Sequence, residues 1–244
     1  MNPVITSRNN ERIKEIARLN EASFRNEKGL FLIEGAHLLE MALAHGVVQT
    51  VVSLEKIPHL PETIEQLLVS EDVLKKISNQ KTPQGIVSVC RQLTPSKEFG
   101  SRILFLDDVA DPGNVGTLIR TAVAFSYTDV LLTEKCASIY NDKVIGASQG
   151  GIFSVNLAKG TAKTLETLRN EGYAIVVTSL KASVPLQELP KLEKFVLVLG
   201  NEARGVSREV EKEATHRIII PMSNIDSLNV AVAGGILMHH LSGK

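Results

Sequence analysis

Much that would make this chain easy to read is missing from it. It has no tryptophan, and aromatic residues make up only 4% of it. Its two cysteines, Cys90 and Cys136, stand alone without metal-ligand spacing. They read as buried thiols of a reducing compartment, not as a disulfide framework or a redox pair. Neither sign of charge is in excess: Lys+Arg and Asp+Glu both number 27. Bulk charge therefore gives no pointer to nucleic acid, and any basic surface has to be local. No apolar run approaches the roughly 20 residues that span a bilayer. The first residues, MNPVITSRNNERIK, lack the apolar stretch of a secretory signal. A cytoplasmic protein without membrane or metal partners is the expectation. There is no Cys/His cluster for a metal, no Walker lysine and no nucleophile elbow.

What is present is a globular composition, 43% hydrophobic and 22% charged over 244 residues, enough apolar material for one large domain or two small ones. Near the start, Ser7-Arg8-Asn9-Asn10 and ERIKEIARL predict a helix with Ile13 and Ile16 on one face. Arg8, Arg12, Lys14 and Arg18, followed by Arg25, lie around the other face. That face is either simply solvated or a phosphate-contacting surface. Strands are expected over 29–35, 47–54 and 85–90, with helices at AHLLEMALAHG and at SEDVLKKIS, the latter capped by Ser70. This is a small α/β unit spanning residues 1–95. A polar stretch, 96–101, is the linker candidate.

From Arg102 a second α/β series runs to the end of the chain. ILFLDDV, DVLLT, YAIVVTSL and FVLVLG are near-continuous apolar strands separated by helices, the pattern of a parallel sheet covered on both faces. SREVEKEA is expected to be helical. In such sheets ligands sit beyond the C-terminal strand ends, and three loops there stand out. Asp111–Gly116 offers a tight strand-to-helix turn and helix N–H groups for an anion, with Arg120 beyond it. Gly200–Gly205 places Asn201 and Glu202 directly after a buried strand. Pro221–Asn229 follows the short strand Ile218–Ile220 and carries Ser227, a plausible N-cap, and Asn229. The last helix, LNVAVAGGILMHHL, has no polar face. It has to be enclosed by the domain body, by a second subunit or by both. Gly234 and Gly235 within it make sense if another backbone or a ligand comes close.

The segments DDVADPGNVGTLIRTA, LVLGNEARGVS and IIIPMSNIDSLNVAVAGGIL, in this order and at about this spacing, resemble the SpoU (TrmH) family of RNA 2′-O-ribose methyltransferases, of the SPOUT class. With SRNNERIKEI and FLIEG the resemblance covers most of the chain. It implies a C-terminal parallel sheet, residues 102–244, tied in a deep trefoil knot with the last helix tucked through a loop. Knots are otherwise nearly absent from proteins. It also implies a small α/β RNA-binding domain before the linker, and a homodimer formed through the last helix. S-adenosylmethionine is expected in the knot, held at Thr178, Ser179, Leu180, Leu199, Gly200, Ile220, Pro221, Met222, Leu228 and Asn229. Asn114, Arg120, Glu202, Ser227 and Asn229 inherit the catalytic roles, and the substrate is rRNA or tRNA, with rRNA favoured. One departure is the turn 223–226, which lacks the family's glycine; Asn224 is the residue able to replace it in a left-handed conformation. Two rivals are a nucleotide- or NAD-binding oxidoreductase, which needs a GxGxxG turn that the first strand lacks, and an RNA-binding module without activity.

Overall fold

A computed structural model describes residues 3–179, 183–225 and 227–242. The chain divides into two compact units, residues 1–94 with 140–142, and residues 95–139 with 143–244. The boundary falls just ahead of the expected linker. Residues 96–101 are held by the second unit: Ser96 N donates to Asn156 Oδ1, and Gly100 N donates to Asp129 Oδ2.

The first unit runs α1 (Glu11–Arg18), α2 (Ala22–Lys28), β1 (Leu30–Glu34), α3 (Ala36–Ala44), β2 (Val48–Ser53), β3 (Glu65–Leu68), α4 (Glu71–Ile77) and β4 (Ile86–Arg91). Asn10 caps α1 by accepting from the N–H groups of Arg12 and Ile13, and the helix buries Ile13 and Ile16 as its spacing predicts. The sheet order is β1-β4-β2-β3, antiparallel except for the β2–β3 pair. Ile13, Ile16, Phe24, Val52, Val73, Leu74 and Val87 form the core on one side of it.

The second unit comprises β5 (Arg102–Asp107), α5 (Pro112–Ala124), β6 (Asp129–Leu132), α6 (Asp142–Ser148), β7 (Asn156–Lys159), α7 (Ala162–Asn170), β8 (Ala174–Thr178), β9 (Val184–Pro185), β10 (Phe195–Gly200), α8 (Arg208–Glu211), β11 (His216–Ile219) and α9 (Val230–Ser242). All seven strands are parallel, in the order β7-β6-β5-β10-β8-β11-β9. The apolar runs of β5 and β10 follow from their central position, where both faces are covered. Ile103, Phe105, Val196 and Val198 pack with Leu165 and Leu168 of α7 on one face. On the other face α9 packs against α5 and β10. The approach is close at Gly234, where a β-carbon would stand 2.3 Å from Leu118 Cδ2 and 2.9 Å from Leu199 Cδ1. Among the described residues, apart from its chain neighbours and the helix's own backbone, nothing comes within 4 Å of the corresponding point at Gly235.

Two expectations for the C-terminal half change. SREVEKEA yields only one helical turn, Arg208–Glu211. The cap of α9 is Asn229, not Ser227: its Oδ1 accepts from the N–H groups of Ala231 and Val232 at 2.9 and 3.3 Å. The turn before it does place Asn224 in the left-handed region, with φ 68°. The apolar helix α9 is only partly covered within this chain. Val230, Ala231, Gly234, Leu237 and Met238 are buried, whereas Val232 is 53% and Ile236 41% exposed.

Candidate active site

The C-terminal ends of β5 and β10, neighbours in the sheet, build the site. Asp107 and Asp108 end and follow β5. Asp107 Oδ2 accepts from Ser207 N at 2.7 Å, which draws the chain after β10 back across β5. Asp108 sits at φ 58°; it is held by Thr133, whose Oγ1 donates to its Oδ1 at 2.9 Å. Its carboxylate also lies 3.4 Å from Lys135 Nζ and 3.6 Å from Arg204 Nη2.

After Gly200 the chain closes a tight loop in which Asn201 and Gly205 bond each other's backbone. Asn201 organises this loop: its Oδ1 accepts from the N–H groups of Ala203 and Arg204, and its Nδ2 donates to Asp108 O. Gly200 has no alternative here. A β-carbon would fall 2.3 Å from the backbone of Gly205 and of Val206, and backbone cannot swing aside as a side chain can.

Three loops far apart in sequence then meet through side chains. Asp111 caps α5 by accepting from Asn114 N at 2.8 Å, which fixes Asn114 in the first turn. Asn114 Nδ2 donates to Glu202 Oε1 at 2.9 Å. Asn229 Nδ2 donates to Asn114 Oδ1 at 3.0 Å. Of the five expected catalytic residues, Asn114, Glu202 and Asn229 are thus joined in one chain of hydrogen bonds. Ser227 lines the adjoining cavity with Glu202. Arg120 does not; it lies on the exposed side of α5, beside Gly151.

The cavity measures about 540 Å³, within the range of about 300–1,000 Å³ usual for small-molecule sites. Thr178, Ser179, Leu199, Gly200, Ile220, Met222 and Leu228 line it as expected from the resemblance. Pro221 and Asn229 stand outside its wall, and Leu180 lies outside the described residues. Several lining residues were not anticipated, among them Arg204, Val206, Glu211, Ile218 and Ala233. Glu211 lies 3.4 Å from Ser179 Oγ and 3.7 Å from Arg217 Nε; nothing in the sequence marked it, because it sits in a segment read simply as a helix. The donor set fits S-adenosylmethionine. Leu199, Ile218, Ile220, Met222 and Leu228 offer an apolar wall, backbone surrounds the Gly200 cradle, and the Glu211 carboxylate adds negative charge for a cationic ligand. Among the described residues no group of His, Cys, Asp and Glu could hold a metal ion, and no helix is long and apolar enough to cross a membrane.

In the first unit, Arg8, Arg12 and Arg18 are on the surface. Arg12 is ion-paired to Glu15 and Glu65 at 3.1 and 2.9 Å, and Arg18 stacks over the Phe24 ring at 3.9 Å. Arg25 departs from expectation. It is only 8% exposed, and its Nη1 donates to the carbonyls of Leu19 and Asn20 at 3.0 and 2.8 Å. It closes the α1–α2 turn and presents no guanidinium to a phosphate.

A seven-stranded parallel sheet whose strand-end loops join Asn114, Glu202 and Asn229 beside a cofactor-sized cavity defines an α/β protein with a small-molecule site at its strand ends, and the chain belongs to the SpoU rRNA methylase family. That family's model matches residues 101–239, and residues 10–88 match the MRM3-like substrate binding domain. The chain is 34% identical to the 23S rRNA (guanosine(2553)-2′-O)-methyltransferase RlmP of Bacillus subtilis, over 98% of this chain and 99% of that protein. An uncharacterised tRNA/rRNA methyltransferase of Synechocystis is 31% identical over 96% of this chain and 92% of its own length. Among solved structures, the S-adenosylmethionine-bound rRNA methyltransferase of Sinorhizobium meliloti superimposes with a TM-score of 0.89 at 29% identity, covering 98% of this chain and 97% of that one. Membership of this family excludes the oxidoreductase reading.

Proposed function

We propose that this protein transfers a methyl group from S-adenosylmethionine to a ribose 2′-oxygen of ribosomal RNA. The observation that carries the reading is the hydrogen-bonded meeting of Asn114, Glu202 and Asn229 beside a cavity sized for the methyl donor. When bound, S-adenosylmethionine supplies an electrophilic methyl group. The chain's own residues have to hold the ribose in line with it, and such positioning contributes much of the rate in a two-substrate reaction. Thr178, Ser179, Leu199, Gly200, Ile220, Met222 and Leu228 hold the donor, with Pro221 and Leu180 completing the segments that carry them. Ser227 hydrogen-bonds the incoming ribose. Arg120, always charged, binds the phosphate next to that ribose and stabilises the negative charge developing on the 2′-oxygen. Arg8, Arg12 and Arg18 of the first unit contact the RNA backbone.

The finer architecture belongs to the same proposal. Helix α9 passes through a loop of the chain to make a trefoil knot. Its exposed Val232 and Ile236, with Val123 of α5, close against a second copy in a homodimer. The enzyme acts on RNA in the cytoplasm.

Two measurements test the core of this. Calorimetry with S-adenosylmethionine separates an enzyme from an inactive RNA-binding module: no binding favours the module. Mapping 2′-O-methyl groups in RNA from cells with and without the gene identifies the nucleotide; an unchanged rRNA map would sink the rRNA assignment. Arg120→Lys tests the phosphate role. A lysine enzyme of near-normal rate, with a new base in its pH profile, would count against it.

A further inference from the structure

We infer that Glu202 is the base that removes the 2′-hydroxyl proton, and that Asn229 and Asn114 are positioning residues that hold its carboxylate through one directional chain of hydrogen bonds. The inference rests on ribose methylation being the reaction.

The direction is set by α9. The backbone N–H groups of Ala231 and Val232 can only donate, so the atom of Asn229 that faces them is its oxygen. The amide nitrogen of Asn229 therefore points away from the helix, and the atom it meets on Asn114 is the side-chain oxygen. That leaves the nitrogen of Asn114 to face Glu202, where it donates to Oε1. A helix N-terminus thus dictates the orientation of side chains 115 residues apart along the sequence in one link and 88 in the next. The chain has to end on an acceptor, and an ionised carboxylate is one.

Glu202 uses only one oxygen in this chain. Its Oε2 has no hydrogen-bond or ion-pair partner among the described residues. No histidine lines the cavity, and Arg120 keeps its proton. The other carboxylate in the wall, Glu211, is already set against Ser179 and Arg217. Among the described residues at these strand ends, Asp107 accepts from Ser207 N, Arg204 and Lys135 are both directed at Asp108, and Asp111 caps α5; Asp226 lies outside the described residues.

The step balances. The 2′-O–H bond breaks and its proton passes to Glu202 Oε2. The oxygen's electron pair forms the new bond to the methyl carbon. The carbon–sulfur bond breaks, its pair stays on sulfur, and the sulfonium becomes a neutral thioether. Glu202, now neutral, returns its proton to water.

The test uses full-length protein, S-adenosylmethionine carrying a labelled methyl group, and rRNA from cells lacking the gene, with single-turnover rates measured across pH. The wild type is expected to lose rate on acidification as its base protonates. Glu202→Gln keeps an oxygen that accepts from Asn114 but cannot take a proton. Its rate is expected to fall by about 10²–10⁴-fold and to lose the acid limb, while calorimetric affinity for S-adenosylmethionine stays within about threefold. Asn229→Asp still caps α9 but has no N–H to give Asn114; kcat is expected to fall by about tenfold or more with KM for rRNA unchanged. Glu202→Gln retaining the acid limb, or losing its affinity for S-adenosylmethionine, overturns the base assignment. Asn229→Asp at wild-type kcat overturns the positioning role. A wild-type protein that methylates no ribose overturns the proposed function itself, and this inference with it.

Discussion

Gly234 and Gly235 are adjacent in α9 and differ in one respect only, which makes the pair a controlled experiment on how tightly the last helix is seated. Alanine at either position raises helix propensity by about 1 kcal/mol. At Gly235 the added methyl meets no atom of the described residues within 4 Å beyond its chain neighbours and the helix's own backbone, so Gly235→Ala is expected to gain about that amount. At Gly234 the methyl lands 2.3 Å from Leu118 Cδ2 and 2.9 Å from Leu199 Cδ1. Both leucines are buried, so accommodating it costs about 1–3 kcal/mol of overpacking, against the same propensity gain. The two variants should therefore differ by about 1–3 kcal/mol, with Gly235→Ala the more stable. In a chain of this size each kcal/mol shifts the midpoint by about 2–4 °C, readily resolved by scanning calorimetry. Equal midpoints for the two variants would refute the close seating of α9 on α5 and β10. A destabilised Gly235→Ala whose midpoint rises with protein concentration would instead mark a second copy closing on that face.

Arg25→Ala should cost about 1–3 kcal/mol by leaving the Leu19 and Asn20 carbonyls without their buried donor, read as a lower melting midpoint. The salt dependence of rRNA binding should stay that of the wild type, whereas Arg8→Ala should reduce its slope by about one phosphate contact. Burial pushes the Cys90 thiol up to about 12 and raises that of Cys136. Neither should react with iodoacetamide at pH 8 in the folded protein, and both should react in denaturant, as mass spectrometry would report. Arg12, hydrogen-bonded to Glu65, holds that carboxyl below its ordinary value. A lowered folded value means the stabilisation is present above the unfolded carboxylate range, near pH 4.3, and is lost as pH falls through the lower folded value. The midpoint difference between wild type and Glu65→Gln should be small, no more than about 1 kcal/mol for so exposed a pair, and should vanish on acidification through that window.

The sequence carried the second unit well because its strands are buried on both sides: ILFLD and FVLVL admit no alternation and no other place in a sheet. The first unit was less legible. Its β3, Glu65–Leu68, is too polar at its start to read as a strand, and it forms only because β2 offers it an edge. The site was visible as three loops but not as a geometry. That Asn229 caps α9, and so has its amide orientation fixed, depends on where the helix begins, which is the least determined feature of any sequence pattern. Arg25 misled for a related reason. A basic residue after a basic helix looks solvated, but Arg25 lies in α2 and turns its guanidinium back onto the carbonyls that follow α1. Glu211 was invisible because its role as a cavity wall comes from the sheet bringing β8 and β11 together, not from its neighbours in sequence.

The position of β10 between β5 and β8 has a consequence for the nascent chain. When β5, β6 and β7 have left the ribosome they can pair with one another, but the inner side of β5 has no partner until Phe195–Gly200 is made. At about 5–20 residues per second, the roughly 90 intervening residues leave an open apolar strand edge for some 5–20 s, the kind of edge that recruits other chains. The centre of this sheet is completed late in synthesis, so the newly made protein depends on protection during that interval more than the finished one does.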